Sequence, residues 1–441
     1  MLRALATAAA LALAPVAALA DATLFENVRV FDGVSPRLSA PVSVLVRDGV
    51  IARIDAGPIA VEDAGLTRSA GGGRTLMPGL IDAHTHLVMG AMTLPELMRS
   101  DPNYVALRAG AAAEAFLMRG FTTARDMGGP VFGLKQAIDE GVIAGPRIYP
   151  SGAMISQTSG HGDFRMALEL PRADGETHFT ERFGFAAIAD GAPEVLRRTR
   201  ENLMRGASQI KLMAGGGVAS SHDPLDVTQF TEAEMRAAVE AAAGWNTYVT
   251  VHAYTPAAMR QAIRAGVGAI EHGQLMDEAT AALMAERGVW LSMQPFLDDE
   301  DSNPYPEGSP SRLKQLVMNA GTDAAYALAR EHGLKLAWGT DILFAPAQMR
   351  RQGRRLTKMT RWFTTAEVLK MATHDNAQLL ALSGPRNPYP GRLGVVAEGA
   401  LADLLLVDGD VLADIDLLND PARTLLVIMK DGRIYKNAAP R

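Results

Sequence analysis

The chain has 441 residues, of which 48% are hydrophobic and 21% charged, with 42 glycines and 24 prolines. This composition is typical of a globular protein, and the length fits one large domain with or without a small one. The formal net charge is −6 and no basic run occurs, so the electrostatic footprint of a nucleic-acid-binding protein is missing.

The first twenty residues have the pattern of a secretory signal peptide. Arg3 precedes an apolar Ala/Leu run, and Ala18-Leu19-Ala20 forms a small-x-small cleavage site before Asp21. The alternative is a membrane anchor, but the apolar run is shorter than the roughly 20 residues that a spanning helix needs. We therefore expect an exported protein, periplasmic or secreted, that is cleaved near Ala20 and has no membrane span in its mature chain.

Both ends of the mature chain predict short antiparallel strands. Residues 21–76 and 390–441 alternate apolar and polar side chains, with Asp-Gly turns between the runs. We expect the two segments to pair into one small β-sandwich, with residues 77–389 inserted between them.

The inserted segment predicts an α/β fold. Short apolar runs alternate with Ala-rich helical stretches, which is typical of β-α units and a parallel sheet. The candidate strands are residues 80–86, 122–127, 147–153, 209–214, 248–253, 268–273, 289–295 and 335–341. Eight such units predict a (β/α)8 TIM-like barrel, whose active site lies at the carboxyl ends of the strands.

Two histidines end the first of these strands. His84 and His86 flank Thr85, so the two-residue period of a strand places both imidazoles on one face, where they could bind a single metal ion. The alternative interpretation is that both are surface histidines without a function. The position of the pair, directly after an apolar strand, favours the metal site.

Four further polar residues occupy the fourth, fifth, sixth and eighth strands. Lys211 lies in an apolar strand, where it either reaches a strand edge or has added CO2 to form a carbamate that can hold two cations. His252 and His272 end the next two strands and could act as neutral nitrogen ligands. Asp341 ends the last strand, where a carboxylate can bind a metal ion and accept a proton.

Other polar residues receive structural interpretations. Arg125 and Asp126 at the second strand end predict a structural ion pair, although such an arginine could also bind a carboxylate. The acids at 298–301 predict a solvated loop, with attraction of a cationic substrate side chain as the alternative. The abundant methionines are interpreted as core filling. No role is assigned to three histidines in loop-like or helix-like segments: His178, His332 and His374.

The segments GLIDAHTH, VHAYT, IEHG and GTD, with Lys211 in the fourth strand, resemble the binuclear amidohydrolase superfamily. More narrowly, the chain is similar to the imidazolonepropionase-related branch of prolidase-like, Xaa-Arg/Lys dipeptidase-like and ochratoxin-amidohydrolase-like enzymes. The resemblance spans the mature chain, including its MKDGRIYK ending.

The resemblance implies a centre of two divalent metal ions, with zinc the ion expected. It implies a bridging hydroxide as the nucleophile and Asp341 as the catalytic group that moves the proton. The ligands it implies are His84, His86 and Asp341 for the first ion, His252 and His272 for the second, and carboxylated Lys211 between them.

Three residues beyond the ligands are candidates for contact with substrate. His161 lies in a Gly-flanked loop after the third strand, and the resemblance implies that it hydrogen-bonds the substrate carbonyl or carboxylate. Tyr254 follows His252 with the same strand parity and could meet a substrate carboxylate. His222, with Asp223, follows a Gly-rich loop that could cover the site.

The function expected is hydrolysis of an amide between an acyl group or amino acid and an L-amino acid with a free carboxylate. A dipeptide or an N-acyl amino acid such as an ochratoxin is the small-molecule substrate, and a homo-oligomer is expected. One alternative is hydrolysis of cyclic amides or lactones, whose enzymes typically lack the lysine represented here by Lys211. The other is a non-catalytic barrel, although all six ligand positions are occupied.

Overall fold

The computed structural model describes residues 22–170, 176–303 and 305–439. The predicted signal peptide, residues 1–20, lies outside the described residues. Among the helices of the described part, none has the length and apolar character that crossing a membrane requires.

The N-terminal segment forms strands, as its alternating pattern predicts. These are β1 (Thr23–Val30), β2 (Pro41–Arg47), β3 (Val50–Asp55), β4 (Thr67–Ala70) and β5 (Thr75–Pro78). β1 pairs antiparallel with β2, and the register shifts between Phe25 and Val28. Asn27 within that shift has φ 52°, a left-handed conformation that asparagine tolerates better than most residues.

The described residues in the middle of the chain form ten strands, all paired in parallel. They are β6 (Leu80–Thr85), β7 (Phe121–Asp126), β8 (Arg147–Pro150), β9 (Met154–Ser156), β10 (Ala186–Ile188), β11 (Ile210–Met213), β12 (Val249–Ala253), β13 (Ala269–His272), β14 (Trp290–Met293) and β15 (Leu336–Trp338). β6, β7 and β8 form one sheet, and the other has the order β10-β9-β11-β12-β13-β14-β15. The α/β class with parallel sheets is therefore confirmed.

Backbone hydrogen bonds connect these two sheets at both ends. Ser208 N donates to Pro150 O at 2.8 Å, between the segments of β8 and β11. Asp341 N donates to His84 O at 2.7 Å, which joins the segment after β15 to the end of β6. The second bond places a candidate aspartate directly beside a candidate histidine.

The third predicted strand, residues 147–153, is wrong as a single element. Gly152 has φ 75°, which breaks the extended chain and separates β8 from β9. A Cβ atom at Gly152 would lie 2.5 Å from Oδ1 of Asn202, so the turn also depends on the missing side chain. The short strand β10 was not predicted.

Helices separate most of the parallel strands. They are α1 (Leu94–Arg99), α2 (Pro102–Met118), α3 (Phe132–Asp139), α4 (Phe179–Arg182), α5 (Ala192–Met204), α6 (Glu232–Gly244), α7 (Pro256–Ala265), α8 (Glu278–Arg287), α9 (Pro310–Ala320), α10 (Thr322–Glu331), α11 (Pro346–Met349), α12 (Gln352–Thr357), α13 (Thr365–Lys370), α14 (Asn376–Leu380) and α15 (Pro421–Thr424). Local sequence sets several ends: Thr231 and Glu234 form a capping box at α6, and Gly266 ends α7 with φ 99°.

The C-terminal strands complete the sheet formed by the N-terminal strands β1 to β5. They are β16 (Leu404–Val407), β17 (Leu425–Lys430) and β18 (Arg433–Asn437). The order is β18-β17-β16-β5-β1-β2-β3, with β4 paired to β1, so strands from both chain ends lie in one sheet. That sheet has its own apolar cluster, which includes Phe25, Val44 and Leu404. A larger cluster packs the helices against the parallel strands.

Candidate active site

Two histidines and one aspartate converge at the carboxyl ends of β6 and β15. Nε2 of His84 and Nε2 of His86 each lie 3.2 Å from Oδ1 of Asp341. Ligand atoms of the three residues lie within 4.8 Å of one another, and both histidines are buried. Two imidazoles and a carboxylate are a donor set that suits zinc.

The other ring nitrogens of these histidines are already engaged. Nδ1 of His84 lies 2.8 Å from Oε2 of Glu271, and Nδ1 of His86 lies 3.0 Å from the carbonyl oxygen of Gly128. An ionised carboxylate and a carbonyl only accept hydrogen bonds, so each Nδ1 carries the hydrogen. Both Nε2 atoms therefore present lone pairs towards Asp341, which is the tautomer that a metal ion requires.

His252 and His272 stand beside this cluster. The ring centroid of His272 lies 4.9 Å from that of His84 and 4.4 Å from that of His252. Nδ1 of His272 lies 2.6 Å from Oε1 of Gln294, and Nε2 of His252 lies 3.2 Å from the carbonyl oxygen of Gly216. The strand ends thus bring four imidazoles together.

Lys211 is buried on the neighbouring strand. In the β11–β12 pairing it lies opposite Thr250, and Met213 lies opposite His252. Burial lowers the pKa of the Lys211 amine to about 8, although the charges of Glu271 and Asp341 act in the opposite direction. Within the described part of the chain, no hydrogen bond or ion pair engages this amine.

Two of the six candidate ligands have left-handed backbone conformations. φ is 80° at His272 and 47° at Asp341. Such conformations cost about 1–3 kcal/mol each in residues other than glycine, and they persist only where the surroundings enforce them. The hydrogen bond from Asp341 N to His84 O is one such restraint.

The sequence interpretation of Arg125 and Asp126 as an ion pair is wrong. Neighbouring strand residues point to opposite faces, and the two side chains have different partners. Nη2 of Arg125 lies 2.7 Å from Oε1 of Glu271, and its Nη1 donates to the hydroxyl of Tyr248 at 3.1 Å. Asp126 instead accepts from the backbone of Leu87 at 2.8 Å.

Glu271 is the functional residue that the sequence interpretation missed. Burial acts to raise the pKa of its carboxyl, but the charges of Arg125 and His84 outweigh burial and hold the pKa well below its ordinary value. Glu271 is fully buried between the two. The available signal was an acidic residue in an otherwise apolar strand, GAIEHG, directly before His272.

His161 and Tyr254 lie against the histidine cluster. The His161 ring stacks on that of His252 with centroids 4.2 Å apart, and its Nδ1 lies 2.6 Å from Oγ of Ser220. Burial lowers the pKa of His161 to about 4. The Tyr254 ring is 4.8 Å from that of His252, and burial holds the pKa of its hydroxyl well above the ordinary value.

His222 lies farther out, on an exposed loop. Its Nε2 donates to the carbonyl oxygen of Arg165 at 2.9 Å. Two hydrogen bonds hold this loop in place. Asp223 accepts from Gly217 N at 2.8 Å, and Nζ of Lys314 donates to Ser220 O at 2.7 Å. His222 therefore stands on the rim rather than beside the histidine cluster.

A cavity of about 590 Å³ opens above these residues. The candidate ligands and His161, Tyr254 and His222 line it, which gives a volume within the range of small-molecule sites. Methionines line it too, so the interpretation of these residues as core filling alone is incomplete: Met98, Met154, Met166, Met213 and Met318. The three histidines without an assigned role lie elsewhere, and each has a ring nitrogen within hydrogen-bond distance of a carboxylate: His178 with Glu169, His332 with Glu278 and His374 with Asp375.

Comparisons with known proteins agree with this geometry. The family model described as "Amidohydrolase family" matches residues 75–435. Ochratoxinase of Aspergillus niger is 32% identical over 375 residues, which cover 82% of this chain and 75% of that protein.

Two solved structures are similar over almost their whole length. A prolidase in complex with N-methylphosphonate-L-proline has a TM-score of 0.85 and 33% identity, with 94% of this chain and 100% of that chain covered. A crystal structure of an amidohydrolase has a TM-score of 0.84 and 36% identity, with 94% of this chain and 99% of that chain covered. The chain therefore belongs to the amidohydrolase family and is a hydrolytic enzyme that acts on amide C–N bonds.

Proposed function

We propose that this enzyme hydrolyses the amide bond between an acyl group, or an amino acid, and an L-amino acid with a free carboxylate. The observation that carries the proposal is the convergence of His84 and His86 on Asp341 at the base of a substrate-sized cavity. The similar proteins include a prolidase in complex with N-methylphosphonate-L-proline and an ochratoxinase, which supports this substrate class.

The six candidate ligands fit two divalent cations, for which zinc is our proposal. His84, His86 and Asp341 would hold one ion, and His252 and His272 the other. When bound, the ions supply Lewis acidity to the scissile carbonyl and lower the pKa of water. The protein holds the imidazoles in the required tautomer through the hydrogen bonds at Nδ1 of His84 and His86.

Lys211 would bridge the two sets of ligands as a carbamate. Its amine nitrogen would form a bond to the carbon of CO2 and release one proton, which leaves an anionic group with two oxygen donors. Burial of the side chain and the absence of a hydrogen-bond partner among the described residues support this step, because an unpaired buried ammonium is costly.

Asp341 would move the proton during hydrolysis. Its carboxylate would accept the proton of the attacking hydroxide and deliver it to the nitrogen of the departing amino acid, a role typically worth about 10²–10⁴-fold in rate. His161 and Tyr254 line the same cavity and would bind the substrate carbonyl or carboxylate. His222 would contact substrate from the rim.

We also infer that the parallel strands close into a (β/α)8 barrel. The backbone hydrogen bonds from Ser208 to Pro150 and from Asp341 to His84 support closure. The β-sandwich, the boundaries at 21–76, 77–389 and 390–441, export through residues 1–20 and a homo-oligomeric state remain proposals.

The proposed function is tested with metal-loaded enzyme and a library of dipeptides and N-acyl-L-amino acids that includes ochratoxin A. We expect hydrolysis of amides whose amino acid has a free carboxylate and loss of that activity when the carboxylate is amidated. Cleavage of cyclic amides alone, or of no amide, would contradict the proposal.

A further inference from the structure

The acidic loop after β14 bears directly on which substrates fit the cavity. Four consecutive acids occupy residues 298–301, and unpaired carboxylates there would attract a cationic side chain. In the structure every one of them forms an ion pair. The partners are Arg312 for Asp298, Lys358 for Asp299, Arg351 and Arg354 for Glu300, and Arg351, Arg354 and Lys358 for Asp301.

Lys358 pairs with the two carboxylates of the acidic loop that face the cavity. Its Nζ lies 2.7 Å from Oδ2 of Asp299 and 3.1 Å from Oδ2 of Asp301, and all three residues line the cavity wall. The Lys358 side chain is 13% exposed and that of Asp301 is 4% exposed. Water therefore screens the pair with Asp301 weakly, whereas Asp299 is 33% exposed, and Lys358 engages both carboxylates.

Arg355 adds a further positive charge to the same wall. Its buried guanidinium donates to the carbonyl oxygens of Thr340 at 2.8 Å and Asp301 at 2.7 Å. No carboxylate of the described residues lies within ion-pair distance of it. With Arg351 also on Asp301, the wall carries no excess of negative charge.

Part of the remaining cavity wall is apolar. The rings of Phe164 and Phe344 meet edge to face with centroids 6.2 Å apart. Met98, Met166 and Met318 line the cavity with them, and methionine adapts to apolar groups of irregular shape. A cationic side chain that enters here would lose water, and Asp299 and Asp301 on this wall are already paired with Lys358.

We propose that Lys358 determines charge selectivity, so that the enzyme selects amides with uncharged apolar side chains or acyl groups and rejects those with lysine or arginine side chains. The inference rests on the proposed function and specifies its substrate class. Lys358 acts by holding Asp299 and Asp301, which would otherwise accept a cationic side chain.

The first test compares kcat/KM in matched pairs of substrates. One panel varies the amino acid that leaves, with leucine and methionine against lysine and arginine, and a second panel varies the acyl residue in the same way. We expect the uncharged member to be favoured by at least roughly tenfold in one panel or both. Equal rates in both panels, or a preference for the cationic member, would overturn the inference.

Variants then assign the selectivity to Lys358. Lys358→Met frees Asp299, so the ratio of cationic to neutral kcat/KM is expected to rise at least roughly tenfold. Asp299→Asn has the opposite effect and lowers the ratio, while Lys358→Arg leaves it unchanged. The control is Lys135→Met, which removes a lysine from Asp139 on α3, remote from the cavity lining.

The outcomes separate the two proposals. If no amide with a free carboxylate is cleaved, the proposed function fails. If amides are cleaved but neither Lys358→Met nor Asp299→Asn changes the ratio, only the inference about Lys358 fails. Because Asp299→Asn keeps the lysine, a folding defect in Lys358→Met would not remove the test.

Discussion

Nδ1 of His84 lies 2.8 Å from Oε2 of Glu271, and both side chains are buried. The other carboxylate oxygen, Oε1, accepts from Arg125 at 2.7 Å and also contacts Thr250 Oγ1 at 2.5 Å. Glu271 thus connects a candidate metal ligand to a buried cation from another strand. The orientation of His84 depends on charges outside the proposed ligand set.

Glu271→Gln is expected to weaken metal binding about 10–100-fold, because the partner that orients a ligating histidine contributes to its affinity. Metal content after dialysis against graded chelator concentrations measures the effect. The matched control is Glu278→Gln, since Glu278 also pairs with a histidine, His332, but on the surface. Equal metal retention by the two variants would contradict the role of Glu271.

Arg125→Met is expected to lower the free energy of unfolding by about 3–5 kcal/mol, because it leaves Glu271 as a buried charge without its cation. Urea unfolding of metal-free protein measures the loss. Arg236→Met removes an exposed arginine of α6 that pairs with Glu232 at the surface, and it should cost at most about 1 kcal/mol. Similar losses of unfolding free energy in both variants would show that burial does not make the Arg125–Glu271 ion pair more important for stability than a surface pair.

Lys211→Ala is expected to abolish amide hydrolysis and to reduce the bound metal from about two ions per chain. Elemental analysis measures the metal, and incorporation of ¹³C-labelled CO2 into wild-type protein measures the carbamate. Lys335→Ala, at an exposed position, serves as the control. Full activity of Lys211→Ala with one bound ion would exclude the two-metal proposal.

Asp163 gives a prediction for pH dependence. Burial acts to raise its pKa, but hydrogen bonds from Arg165 and from backbone amides lower it below the ordinary value of 3.8. The resulting stabilisation is fully present above pH 3.8, the pKa of this carboxyl in the unfolded chain. It is lost as the pH falls through the lower pKa of the folded state. Asp163→Asn should therefore reduce stability by about 1–3 kcal/mol at neutral pH and by less in acid.

Urea unfolding of metal-free protein from pH 3 to pH 7 tests this dependence. Asp226→Asn is the control, because Asp226 is exposed and forms no ion pair within the described residues. A difference between Asp163→Asn and wild type that stays constant down to pH 3 would show that the pair does not stabilise the fold through its charge.

The candidate ligands were predictable because their signals are local. A strand's two-residue period placed His84 and His86 together, and apolar runs placed Lys211, His252 and His272 on neighbouring strands. The break at Gly152 was missed because an apolar run does not reveal where a chain turns.

The α/β class, the family and the strands that carry or precede the six candidate ligands follow from the amino-acid sequence, since each depends on short-range periodicity and motif. Which charged side chains form pairs became apparent only from the three-dimensional fold. Arg125 pairs with Glu271 rather than with adjacent Asp126, and Lys358 occupies acids 57 to 59 positions earlier in the chain. Ion pairs depend on spatial proximity and shared burial, and sequence separation carries no information about either.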